Sequence, residues 1–365
     1  MTVFLNPETD KADEATVKAA AAGLRDWQQS RQDLNVALVY GPVSEEDRLY
    51  IDKSPVDQLS VTALSRTLGE IGLRFEVLNP VDRTFVPRLT AFDVALSNLH
   101  GPFGEDGRLQ GLLDYLRIPY CGSGVAASAV AADKILCKRV MGSLGVPTPA
   151  WQEWTGGTVE WDGHTVMVKP PLGGSSVGMS LVKDRVDLLG ALVDASGPQG
   201  HPVLVEEYIT GQSVTVGLLE LPGNAVLIFP PLATEVHQAD FYDAATKLDE
   251  DATGGVTVAA ADLPAEARAA VLEYAKRIWT GLGLKGSARV DFIVTEDSRV
   301  FALEVNSTPG MSAGSNFAVG AELCGLSHGD VVLALLHEAL VRPPYDVPLP
   351  TPHFTGFPGQ REFVA

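Results

Sequence analysis

Two carboxylates and an amide late in the chain have the types and spacing to hold a metal ion. Asp291 lies in Ala-Arg-Val-Asp-Phe (288–292), and Glu304 and Asn306 lie two apart in Glu-Val-Asn (304–306). Oxygen donors on facing strands suit a hard cation such as Mg²⁺, which takes few protein ligands and leaves positions for phosphate oxygens. The competing reading is a solvated polar face, which accounts for most acids on strands. Arg289 stands two residues before Asp291, and Pro309-Gly310 directly follows the second pair. A Pro-Gly turn at that point reads as backbone shaped around a ligand.

These side chains need a β-hairpin to bring them together. Val290, Phe292 and Val294 alternate on one predicted strand, Val300, Ala302, Leu303 and Val305 fill the other, and residues 296–298 make the turn. Alternation puts Glu304 and Asn306 on one face of the second strand.

The chain has 365 residues, room for two or three domains with cores of their own. Its hydrophobic share of 45% and charged share of 20% are those of a globular protein. A net charge of −19 argues against nucleic acid and against an acidic membrane surface as partners. The three cysteines, Cys121, Cys137 and Cys324, are odd in number and lack Cys-x-x-Cys spacing, so neither a disulfide framework nor a zinc site is expected. The first ten residues lack a basic, then apolar, leader, and no run reaches the roughly 18 apolar residues of a membrane span. The expectation is a cytoplasmic protein.

Read in order, residues 1–34 form an extension, Ala-rich and helical over 12–31, with a packing or dimer-edge role. Strands at 36–42, 73–78 and 93–99, with a helix over 56–72, predict a parallel sheet covered by helices. Ligands on such sheets sit beyond the carboxyl ends of the strands, where His100-Gly-Pro-Phe-Gly-Glu-Asp-Gly107 lies. A single helix is expected over 126–145, carrying Asp133, Lys134 and Lys138, and Pro147 and Pro149 mark a linker. Strands 166–169 and 179–182 flank a Gly/Ser-rich tip, a flap whose N–H groups can cradle phosphate without being a P-loop. Residues 203–209 read as a strand running into a hinge, 213–221 and 225–229 as strands, and 238–255 as a lid. Helices over 264–282 and 330–340 close the pattern. A Pro-rich tail follows.

These motifs, in this order, resemble the D-alanine–D-alanine ligase family of the ATP-grasp superfamily over roughly residues 35–342. The resemblance rests on His-Gly-x-x-Gly-Glu-Asp-Gly (100–107), Gly-Ser-Gly with a later Asp-Lys (122–134), Val-Lys-Pro with Gly-Ser-Ser-Val-Gly (168–178), Phe-Tyr-Asp with a later Lys (241–247), Ala-Arg-Val-Asp-Phe (288–292) and Glu-x-Asn-x-x-Pro-Gly-Met (304–311). It implies an α/β ATP-grasp fold in which a parallel-sheet domain, 35–122, precedes two α+β subdomains, 123–212 with the flap and 213–343 with the lid and metal site, and a tail, 344–365. It implies ATP and two Mg²⁺ ions, with Mn²⁺ as a substitute, amino-acid-like substrates and a homodimer. One carboxylate takes the γ-phosphate to give an acyl phosphate, and an amine then displaces phosphate to give a peptide bond. Both steps build negative charge, which positioning and cations must offset.

Carried over by motif, Lys134 and Lys169 are phosphate contacts. Glu206, Glu207, Tyr208 and Ile209 form the adenine hinge, and Ser175, Ser176 and Val177 the flap. Asp291, Glu304 and Asn306 hold the metal. Arg289 and the Gly310 N–H meet the tetrahedral intermediate, Ser315 and the Asn316 N–H take the second substrate's carboxylate, Lys247 meets the transferred phosphoryl group, and His100 lies near the first substrate's carboxylate. The chain departs from the pattern in four places. Asp57 stands near the family's ammonium-binding Glu without being in register with it, Leu248 follows Lys247 where a Tyr is usual, Gly173 replaces an acid before the flap, and Ser213 or Gln212 replaces the ribose acid. These departures leave open a related amide or dipeptide ligase of a specialised pathway, and beside it a non-catalytic nucleotide-binding protein.

Overall fold

The computed structural model describes residues 2–43, 48, 51–56, 59–173, 178–236 and 256–345. The chain opens with strand β1 (Val3–Leu5) and helix α1 (Lys11–Gln29). Asp10 starts the helix by accepting the Ala12 N–H at 2.8 Å. Val17, Ala21 and Leu24, at helical spacing, are buried along its inner stripe.

Strand β2 (Asn35–Val39) has no polar side. Val36 and Leu38 enter one core, Ala37 and Val39 another. Such a strand needs cover on both faces, which a parallel sheet between helix layers provides. Accordingly β2 is central, parallel to both β3 (Arg74–Leu78) and β4 (Val94–Ser97). Helix α2 (Ser60–Glu70) covers one face with Leu64 and Leu68. Helices α3 (Phe85–Leu89) and α4 (Arg108–Leu116) cover the other.

The helix expected over 126–145 is instead two, α5 (Val125–Ala132) and α6 (Lys134–Ser143). Asp133 breaks the run. Its backbone is extended, and its carboxylate accepts the N–H groups of Ile135 and Leu136 at 2.9 and 3.0 Å. An aspartate competes well for those donors, so it caps a new helix rather than continuing the old one. The next sheet is antiparallel, in the order β5 (Trp151–Trp154), β8 (Val203–Glu207), β6 (Val166–Lys169), β7 (Ser180–Val182), with α7 (Arg185–Ser196) packed on it. Val166 pairs with Val182, giving the hairpin predicted around the Gly/Ser tip. Neither β5 nor α7 was expected from the sequence.

The last sheet is built on β9 (Gln212–Leu221). One edge of it pairs with β10 (Ala225–Ile228) and β11 (Leu232–Val236), which continues into β12 (Val256–Ala260). Helix α8 (Ala265–Leu282) packs beneath. The other edge of β9 pairs with β13 (Ser287–Val294), and β13 with β14 (Val300–Asn306). Gly217 lets this sheet take its cover, since a Cβ there would lie 2.4 Å from the Phe229 ring. Helices α9 (Asn316–Leu323), also unexpected, and α10 (His328–Val341) complete the chain. Strand β1 joins this sheet in parallel beside β10, and α1 packs on α10, where Arg25 grips Asp330 through two contacts of 2.8 and 2.7 Å. The amino-terminal extension is thus core structure.

Candidate active site

The hairpin puts the four polar residues on one face through an irregularity. Asp291 pairs with Glu304, yet Phe292 pairs with Ala302, so Leu303 is an extra residue in β14. This bulge resets the alternation, and Ala302 and Val305, three apart, both point into the core. Arg289, Asp291, Glu304 and Asn306 therefore share the other face, with Arg289 opposite Asn306. The Arg289 guanidinium holds Asp291 at 2.8–3.2 Å, and Thr215 Oγ1 donates to the same carboxylate at 2.5 Å. Burial alone would lower the Arg289 pKa. The carboxylates of Asp291, Glu304 and Glu105 outweigh it and raise the pKa, so Arg289 is a fixed positive charge. Asn306 Oδ1 accepts the Thr308 N–H at 2.8 Å and keeps a second lone pair. Two carboxylates and an amide oxygen form an all-oxygen donor set, which fits a hard divalent cation.

Facing them are buried lysines. Lys134, first residue of α6, sends its N–H to Pro171 O at 2.9 Å and its ammonium to Gly173 O at 2.5 Å. The break at Asp133 allows both contacts, tying α6 to the segment that follows β6. Burial lowers the Lys134 pKa, with Glu304, Glu105 and Glu206 opposing. Lys169 pairs with Glu206, whose other oxygen is 2.6 Å from Lys138 Nζ, outside hydrogen-bond angles but within ion-pair reach. The Lys138 and Glu206 side chains are only 1% and 2% exposed, so Glu206 faces two ammonium groups inside the protein. Burial favours its neutral form. Lys169 and Lys138 outweigh that and hold its pKa below the ordinary value.

The loop at 100–107 supplies another wall. Glu105 accepts the Gly101 N–H at 2.8 Å, and its second oxygen is 3.4 Å from His100 Nδ1. It also acts electrostatically on Lys134 and Arg289. Gly107, at φ +89°, ends the loop where a Cβ would meet Val125 O at 2.6 Å.

Gly101, Glu105, Lys134, Gly173, Glu304 and Asn306 line one cleft. Of the predicted residues it gathers Lys134, Glu304 and Asn306, with Arg289, Asp291 and His100 adjoining through the contacts above. Glu207, Tyr208, Ile209 and Ser213 lie at the more open junction of β8 and β9, outside the cleft lining. Ser315 caps α9, accepting the Ala318 N–H at 3.3 Å, and Asn316 opens that helix. Asp57, Ser175, Ser176, Val177 and Lys247 lie outside the described residues. Sequence reasoning missed Glu105, although it stands inside a quoted motif, and the second lysine on Glu206, Lys138, whose only signal was its one-turn offset from Lys134.

Residues 52–123 match the family model for the D-ala D-ala ligase N-terminus, and residues 147–337 match the model for its C-terminus. A D-alanine–D-alanine ligase of Desulforudis audaxviator is 36% identical over 292 residues, 78% of this chain and 92% of the relative. That of Bordetella pertussis is 35% identical over 317 residues, 85% of this chain and 96% of the relative.

The chain belongs to the D-alanine–D-alanine ligase family.

The crystal structure of the Bacillus anthracis D-alanine–D-alanine ligase complexed with ATP matches it with a TM-score of 0.68 at 25% identity, covering 84% of this chain and 97% of that one. The D-alanyl-alanine synthetase A of Vibrio cholerae shares the fold, with a TM-score of 0.72 at 22% identity, covering 85% and 99%. The family member described here has the ATP-grasp fold and is an ATP-dependent, ADP-forming peptide ligase that uses a divalent metal. Among the described residues no single helix is long and apolar enough to cross a membrane.

Proposed function

We propose that this ligase joins two D-alanine molecules. The observation that carries the ATP-dependent chemistry is the register of the hairpin: Asp291 directly opposite Glu304, Asn306 two residues on, and the cleft beyond them walled by Lys134. Asp291, Glu304 and Asn306 would hold two Mg²⁺ ions. Bound there, the ions supply positive charge to the phosphate oxygens of ATP. Lys134 and Lys169 would contact the same phosphates, and Ser175, Ser176, Val177 and Lys247, assigned by motif alone, would add further phosphate contacts. The 206–209 segment takes adenine, partly through backbone groups, and Ser213 stands near the ribose.

His100 and, assigned from the sequence alone, Asp57 would bind the first amino acid. Ser315 and the Asn316 N–H receive the carboxylate of the second, an anion at a helix start. Arg289 and the Gly310 N–H offset the charge that builds on the acyl oxygen as the amine attacks. Arg289 suits this because it only donates and stays charged. Residues 35–122, 123–212 and 213–343 are read as the three working units, with ATP between the last two. The family relation supports a homodimer, and three unpaired cysteines suit a reducing compartment such as the cytoplasm.

Relatives named D-alanine–D-alanine ligase that span most of the chain support this substrate over the acid or amine of a specialised pathway. The test is ADP release coupled to a panel of D- and L-amino acids and simple acids. D-alanine-dependent release, with dipeptide formed, is expected. Release with another acid and none with D-alanine would overturn the substrate.

A further inference from the structure

The turn at 308–311 is held at four points, and three of the holders come from outside its own hairpin. Asn98 Nδ2 donates to Pro309 O at 3.1 Å. Ser60 Oγ, at the start of α2, accepts the Met311 N–H at 3.1 Å. His328, the first residue of α10, lies with Nε2 2.9 Å from Met311 O. A carbonyl oxygen only accepts, so Nε2 carries the proton and Nδ1 accepts from Thr67 Oγ1 at 2.7 Å. The fourth holder is Asn306, through the Thr308 N–H.

Of these, the Asn98 contact has a directional consequence. The Pro309–Gly310 peptide is trans, so the Pro309 C=O and the Gly310 N–H point in opposite directions. Whatever fixes the carbonyl aims the N–H. Asn98 is well placed to fix it, since it follows β4, sends its own N–H to Val39 O at 3.2 Å and is 2% exposed. Its Oδ1 has no donor among the described residues and lines a small pocket with Ser97, Ser307 and Thr308. An apolar side chain would avoid leaving that buried oxygen unpaired. The polar one is accounted for by its Nδ2.

We infer that Asn98 is a positioning residue, holding the Pro309 carbonyl so that the Gly310 N–H faces the acyl oxygen of the reacting substrate. The inference rests on the proposed role of the Gly310 N–H. It makes the parallel sheet part of the machinery of the second step: the segment that leads from β4 to His100 also sets the turn that follows β14. When the N–H is misaimed, acyl phosphate waits longer for the amine. The portion lost to water returns free acid and phosphate, with ADP already released from the first step and no peptide formed.

The test compares wild type with Asn98→Leu, which keeps the volume and removes the donor, and Asn98→Asp, which turns an oxygen toward Pro309 O. ADP, dipeptide, kcat, the KM for ATP and the thermal midpoint are measured together. A fall in kcat for dipeptide of about tenfold or more, with the KM for ATP within about twofold and less dipeptide per ADP, is the expected result. An unchanged kcat overturns the inference. So does a kcat loss matched by the KM and the midpoint while dipeptide stays stoichiometric with ADP, because that pattern marks general loosening. If Asn98→Leu does not fold, Asn98→Ser, which withdraws the reach to Pro309 without apolar bulk, is read by the same criteria. A wild type that releases no ADP with D-alanine defeats the substrate reading alone. The variants are then scored with the acid that does turn over, where a preserved kcat still overturns the positioning role.

Discussion

At the scale of single residues, the site consists of charges held by partners of opposite sign. Asp291 is gripped by Arg289 and Thr215, so its carboxylate is pre-aimed before any ligand arrives. Asp291→Asn and Glu304→Gln keep shape and remove charge. Each is expected to lower kcat by about 100-fold or more, since a metal's charge stabilisation is worth several kcal/mol. Steady-state kinetics at saturating ATP would check this, and a variant within threefold of wild type would exclude that side chain as a ligand. Glu206 makes a different prediction. It is buried between Lys138 and Lys169, and removing Lys138 takes away one of its two cationic partners. Lys138→Met is expected to cost about 3 kcal/mol of stability, read from urea unfolding. A loss below about 1 kcal/mol would mean that Lys169 alone satisfies the carboxylate.

At the scale of elements, helix starts do much of the positioning. Asp133 opens α6 and so places Lys134, and Ser315 opens α9. Ser327 and Asp330 form a reciprocal cap on α10 and so place His328. His328 is partly buried, and desolvation lowers its pKa from 6.5 although the Met311 carbonyl and the Glu70 charge oppose the shift. Above pH 6.5 the ring is neutral in both the folded and the unfolded chain. As pH falls through that value the unfolded chain takes up the proton first, so stability declines towards the lowered folded pKa. Partly buried His337, also lowered by burial, acts in the same direction. The thermal midpoint is expected to drop between about pH 7.5 and about pH 5.5, and His328→Gln to shrink that drop. An equal drop in the variant would assign the effect to other groups.

At the scale of the whole molecule, the amino-terminal extension spans what the ligase motifs divide. Strand β1 extends the sheet that carries the metal-type hairpin, while Val17, Ala21 and Leu24 of α1 share a core with β2, α2 and α10. Leu5, Val17 and Leu24, at about 1.5–3 kcal/mol each, and Ala21, at about 1, are together worth on the order of 5–10 kcal/mol. That is comparable to the stability of a typical domain. Deletion of residues 2–34 is therefore expected to give insoluble or unfolded protein. A soluble truncation with the wild-type midpoint, measured by circular dichroism, would show the extension to be dispensable.

By itself the sequence determined most of the elements and the chemistry. Alternation fixed β13, all-apolar β2 required a parallel sheet, and the donor types of Asp291, Glu304 and Asn306 named the kind of cation. These are local properties, set by periodicity and by what each side chain can donate or accept. The tertiary structure decided where the pattern breaks and which distant groups meet. The bulge at Leu303 is set by the register of β14 on β13 and the break at Asp133 by its local cap, whereas the paired lysines on Glu206 and the reach of Asn98 to Pro309 depend on partners far along the chain. So does the conversion of the first 34 residues from an extension into core. Their energies come from burial and from hydrogen bonds across sequence separations of up to 211 and 305 residues, for Asn98 with Pro309 and Arg25 with Asp330. No local spacing encodes a contact of that kind, because the chain must close on itself before either partner knows the other.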